Sequence, residues 1–131
     1  MIVVDTNVMV YLLTGGDRGT AAAELLRKDP LWVAPAVLLS EFRNVLVGLV
    51  RRHGLSLEDA QDMHSDAAEL LGDRVIHVSG DRVLTTALEC GLSAYDAEFV
   101  VAARTLGLQL VSADQEILAG APDVAVPLPS V

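Results

Sequence analysis

Four acidic residues stand where acids are out of place. Asp5 follows the apolar run Ile2-Val3-Val4, Glu41 falls within "APAVLLSEFRNVLVGLV", Asp96 within "SAYDAEFVVAARTLG", and Asp114 closes "LQLVSAD". Carboxylates gathered in one crevice repel and raise one another's pKa values. A hard dication resolves that conflict, because Mg2+ or Mn2+ prefers oxygen ligands and uses a few carboxylates together with phosphate oxygens. Such an ion lowers the pKa of a bound water and stabilises charge developing on an attacked phosphate.

Each acid also has a purely structural reading. Asp5 and Asp114 both stand where a helix follows a strand, and Asp is a good N-cap through its side-chain acceptor and the helix dipole. Asp96 shares a helix face with Phe99, Val100 and Ala103, at offsets of three, four and seven. Ser93 three residues before it resembles a capping box, although that motif usually carries Glu or Gln. Glu98 and Arg104 point elsewhere and read as solvated charges. Glu41 lies at the edge of a stripe formed by Leu38, Phe42, Val45 and Leu49, where a buried acid needs a partner. Its neighbour Arg43 faces elsewhere, so an arginine partner must come from another segment.

The elements that must position these acids alternate. Buried strands are expected at "IVV", "LWVA", "RVIHV", "LQLV" and "VAVPL". Helical patterns cover Thr6 to Leu13, Gly19 to Lys28, Ala36 to His53, Leu57 to Leu71, Asp81 to Cys90, Ala94 to Leu106 and a short piece after Ala113. Gly54, Gly72, Gly91 and Gly107 stand at their C-terminal stops. Strands alternating with helices imply a parallel sheet covered on both faces, with ligands beyond the carboxyl ends of the strands. Asp5 and Asp114 occupy equivalent strand-end positions in that scheme.

Composition narrows the class. A chain of 131 residues that is 52% hydrophobic suits one compact domain spanning 1–131. The leading apolar run has no basic flank and meets Asp5 almost at once, and no stretch is long enough to span a bilayer. A cytoplasmic protein with no membrane partner is the expectation. Cys90 is the one cysteine, so neither a disulfide framework nor a cysteine zinc cluster is available. His53, His64 and His77 are scattered without zinc spacing. The net charge of -9 argues against sequence-independent adhesion to nucleic acid and suits a bound cation or a basic partner.

Asp5-Thr6-Asn7, Ser40-Glu41, Asp96 in "SAYDAEFVVAA" and Ser112-Ala113-Asp114 together resemble the acidic motifs of PIN-domain ribonucleases, and among them the VapC toxins of type II toxin-antitoxin systems. The resemblance spans nearly the whole chain, and its strength lies in the ordered set. It implies a three-layer α/β/α sandwich around a central parallel sheet. It also implies a divalent-metal site, Mg2+ or Mn2+, that hydrolyses RNA to 5′-phosphate and 3′-hydroxyl ends. Asp5, Glu41, Asp96 and Asp114 match the acidic quartet. Asp5, Asp96 and Asp114 are assigned chiefly to the metal, and Glu41 to water-mediated ligation or orientation of the nucleophile. Thr6, Asn7 and Ser112 match auxiliary positions, with Ser112 where Thr is frequent. The implied partners are the RNA substrate, a small VapB-like antitoxin with a basic tail, and a second copy of the chain in a homodimer. Arg18, Arg43, Arg82 and Arg104 are candidates for a rim around the site that sequence does not rank. Two alternatives compete: a catalytically silent PIN-like binding module, and an aspartyl-phosphate phosphatase or receiver-type domain. The second lacks its usual strand-end lysine, since Lys28 sits in the helical "RKD".

Overall fold

The computed structural model describes residues 1–130. Five strands form one parallel sheet: β1 (Ile2–Val4), β2 (Trp32–Pro35), β3 (Val75–Ile76), β4 (Leu110–Ser112) and β5 (Ala125–Pro127). The helices are α1 (Thr6–Thr14), α2 (Asp17–Lys28), α3 (Val37–His53), α4 (Leu57–Leu71), α5 (Gly80–Cys90), α6 (Ala94–Leu106) and α7 (Gln115–Gly120). The sheet order is β3-β2-β1-β4-β5, and every paired neighbour is parallel. Helices α1 to α4 pack against one another, while α5 and α6 form a second pair whose α6 lies across β1, β2 and β4. This is the expected α/β/α sandwich.

Burial explains the strand sequences. All of Ile2, Val3 and Val4 are buried, as are Trp32, Val33, Ala34, Leu110 and Val111, because crossover helices cover both sheet faces. Trp32, Phe42 and Phe99 are the largest side chains of that core. Burying each contributes on the order of 2–3 kcal/mol. The edge strand β3 differs from the expectation of a buried five-residue strand. It has two half-buried residues, because only β2 pairs with it. Arg74 pins its start, donating from Nε to the Trp32 carbonyl at 3.0 Å and from Nη2 to the Leu70 carbonyl at 2.8 Å.

Helix ends follow local chemistry. Gly54, Gly72, Gly91 and Gly107 all C-cap their helices at positive φ, where a β-carbon is disfavoured. Ser56, Ser79 and Ser93 accept N-terminal amides of α4, α5 and α6. The buried face of α3 runs through Leu38, Phe42, Leu46 and Gly48, rather than through Val45 and Leu49, which are half-buried. Glu41, half-buried, stands in the second turn of α3, shortly after β2 ends.

Candidate active site

After β1 the chain moves outward to β2 and β3, and only then returns to place β4 on the other side of β1. The two central strands are thus the switch point of the sheet, where a crevice opens beyond their carboxyl ends. A cleft of about 590 Å³ lies there, lined by Asp5, Thr6, Asn7, Ser40, Glu41, Asn44, Tyr95, Asp96 and Asp114 over an apolar floor that includes Phe99 and Ile117. All four acids singled out in the sequence reach it. Of the auxiliary residues, Thr6 and Asn7 line it, and Ser112 lies buried behind Asp5.

Asp5 is held from every side. Its Oδ1 accepts the Val8 amide at 3.1 Å, capping α1, and its Oδ2 accepts the Ser112 hydroxyl at 2.5 Å and the Ala113 amide at 3.1 Å. Its own amide donates to the Val111 carbonyl at 3.2 Å, tying the end of β1 to β4. Burial pushes its carboxyl up, the Ser112, Val8 and Ala113 hydrogen bonds pull it back, and the nearby Asp114 charge raises it again. A carboxylate offers about four lone-pair sites, so these three donors leave one for a ligand.

Asp114 both caps and serves the cleft. Oδ1 accepts the Glu116 and Ile117 amides at 2.8 and 3.3 Å, which leaves Oδ2 without a donor among the described residues. Its own amide donates to the Ser112 hydroxyl at 3.0 Å, so Ser112 links Asp5 to Asp114. Capping and a place in the cleft are therefore not alternatives for Asp5 and Asp114.

Asp96 makes only the forward half of a capping box. Ser93 Oγ accepts the Asp96 amide at 3.1 Å, but the Ser93 amide donates no hydrogen bond to the Asp96 carboxylate in return. Burial, then the charges of Asp114 and Glu41, push its carboxyl up to about 6 against the pull of Ser93, with Glu116 adding to the rise. Glu41 has no arginine partner within an ion-pair distance among the described residues. The buried Thr6 hydroxyl donates to its Oε1 at 2.6 Å instead.

Two further acids belong to this neighbourhood. One oxygen each from Asp96, Asp114 and Glu116 lie within 4.8 Å of one another. Glu116 was hidden in the sequence because an acid in a first helical turn is ordinary. Glu98 reads from the sequence as a solvated charge, yet it is half-buried and its carboxyl is raised by burial and by Glu41. The cleft contains no lysine, and Lys28 Nζ lies 3.7 Å from Glu24 at the end of α2. An aspartyl-phosphate site would lack its cationic partner here.

The model of the PIN domain family matches residues 2–121. The chain belongs to the PIN-domain family. None of the curated proteins compared with it gives a match. Among solved structures, this PIN domain is similar to a toxin-antitoxin complex from Klebsiella pneumoniae, with TM-score 0.72, 20% identity and full coverage of both chains. It is also similar to PAE2754 from Pyrobaculum aerophilum, with TM-score 0.77 and 22% identity, covering 97% of this chain and 83% of that one. VapBC2 from Rickettsia felis, bound to a DNA fragment from its promoter, gives TM-score 0.68 and 19% identity over 98% and 100% of the two chains. These likenesses show the fold. The donor set of the PIN cleft fits a hard cation, since all the donors are oxygens, three approach one another, and burial together with the Asp114 and Glu41 charges keeps the Asp96 carboxyl raised.

Proposed function

We propose that the protein is a divalent-cation-dependent endoribonuclease, the toxin of a VapC-like type II toxin-antitoxin pair. The carrying observation is the convergence of Asp5, Glu41, Asp96 and Asp114 on one cleft at the switch point of the sheet. Asp96 and Asp114, with Glu116, would hold Mg2+ or Mn2+, and Asp5 would lend the lone pair that its three donors leave open. When bound, the cation supplies charge stabilisation at the attacked phosphate and makes a water more acidic. Glu41, oriented by Thr6, accepts the proton of the attacking water. Asp5 and Ser112 hold the ends of β1 and β4 so that Asp114 keeps its place. Asn7, Ser40 and Asn44 offer hydrogen bonds to the sugar-phosphate chain, and the exposed Tyr95 ring offers a stacking surface for a base.

The toxin reading rests on the toxin-antitoxin complexes among the structural neighbours. A small VapB-like antitoxin with a basic tail suits the net charge of -9, and a homodimer and a cytoplasmic location complete the reading. No helix among the described residues is long and apolar enough to cross a membrane.

The test is cleavage-end mapping on total cellular RNA with purified, antitoxin-free protein. Cleavage is expected with Mg2+ or Mn2+ and should vanish with EDTA, leaving 5′-phosphate ends. Undiminished cleavage after rigorous chelation overturns the metal mechanism. Stable RNA binding without cleavage under any divalent cation supports a silent binding module instead.

A further inference from the structure

We infer that Arg43 is the phosphate-docking residue at the rim of the cleft. The inference rests on the ribonuclease reading above and singles out one of the chain's cations. No lysine or arginine lines the cleft, and the chain carries a net charge of -9. A polyanionic substrate must therefore find its counter-charge just outside the acids.

The structure distinguishes the arginines by place and by occupation. Arg27 and Lys28 serve Glu24, and Arg104 forms two hydrogen bonds with Asp123. Arg74 is spent on backbone carbonyls, and Arg18 lies over the Tyr11 ring. Arg51 and Arg52 occupy the last turn of α3, roughly 15 Å along the helix from Glu41. Arg82 shares the α5–α6 groove with Arg104, and among the described residues its guanidinium makes no hydrogen bond to a residue that lines the cleft. Arg43 is different. It lies in the groove between α3 and α4, outside the cleft and on another face of α3 from Glu41, but its Nη2 donates at 3.1 Å to the hydroxyl of Ser40, which lines the cleft.

The partners of Arg43 are uncharged. Its Nη1 contacts His64 Nε2 on α4 at 3.0 Å. A guanidinium has no acceptor, so the contact is favourable only where Nε2 carries the lone pair of a neutral imidazole. No ion pair among the described residues includes Arg43. Ser40 and His64 thus fix the guanidinium without neutralising it. Among the described residues two of its five N–H donors are spent, and a planar fork held in place suits bidentate contact with a phosphate.

The test uses the full chain with its activating cation and a single-stranded RNA that the wild type cuts. Arg43→Ala should raise KM about tenfold while kcat stays within about twofold. The plot of log(kcat/KM) against log salt should become shallower by about 0.7, the contribution of one phosphate contact on a single strand. Arg43→Gln retains a donor for Ser40 or His64 without the charge and should show the same salt change, which covers the case of an unfolded alanine variant. His64→Ala removes the clasp and keeps the charge, so its salt slope should match the wild type. A wild-type salt slope and KM in Arg43→Gln overturn the proposal. So does full reproduction of the Arg43→Ala defect by His64→Ala, which would make Arg43 a clasp between α3 and α4. A wild type that neither binds nor cuts RNA instead overturns the ribonuclease reading itself.

Discussion

Replacing Asp96 with Asn should stabilise the metal-free protein, and by an amount that depends on pH in a defined direction. In the folded chain this carboxyl is raised from 3.8 to about 6 by burial and by the charges of Asp114 and Glu41. The folded state therefore binds more protons than the unfolded chain between those values, and wild-type stability falls as pH rises through that window. The full shift corresponds to a ceiling of ~3 kcal/mol. The carboxyl is only half-buried, so solvent screening brings the expected penalty nearer ~1 kcal/mol at pH 7. Asp96→Asn removes the ionisable group and should raise Tm by roughly 3–4 °C at pH 7.5 with EDTA present. At pH 3.5, where the folded carboxyl is protonated and the unfolded one mostly so, the advantage should largely disappear. Adding Mg2+ should reverse the order: at 100 times its Kd the ion stabilises the wild type by ~2.7 kcal/mol, while the variant responds far less. Thermal melts at the two pH values, with and without Mg2+, provide the assay. A variant no more stable than wild type at pH 7.5 in EDTA, or one with the same advantage at pH 3.5, refutes the crowded-carboxylate argument.

Thr6→Val removes the hydroxyl that holds Glu41 and should lower kcat about tenfold at a stability cost of ~1 kcal/mol; unchanged kcat in steady-state assays would separate Glu41 from the proton transfer. Ser112→Ala deletes the hydrogen bond that most lowers the Asp5 carboxyl, together with the link to Asp114. It should cost ~2–3 kcal/mol at pH 7 in urea denaturation. That cost should shrink as acid protonates Asp5, and an equal loss at pH 4 and pH 7.5 would count against the argument. Arg104→Ala breaks an exposed pair with Asp123 and should change stability by less than ~1 kcal/mol, with RNA cleavage kinetics unaltered. An altered KM in this variant would extend the substrate path to the α5–α6 side.

What was legible in the sequence is what near neighbours decide. Three consecutive apolar residues before Asp5 mark a buried strand wherever that strand pairs, and a glycine after a periodic run stops a helix through its own φ. The four acids stood out for the same reason, since each interrupts a local apolar pattern, and the structure gathers all four at one cleft. The shortness of β3 was not visible, because it follows from an edge position that depends on the strand order. Nor was the division of labour among the carboxylates. Asp5 accepts from Ser112, 107 positions away, and Glu41 accepts from Thr6, 35 positions away, so which oxygens stay open depends on β1 lying between β2 and β4. Glu116 and Glu98 look like ordinary surface charges along the chain. Only the packing of α3, α6 and α7 around the strand ends brings them beside the acids, because electrostatic coupling depends on distance through space and is blind to separation along the sequence.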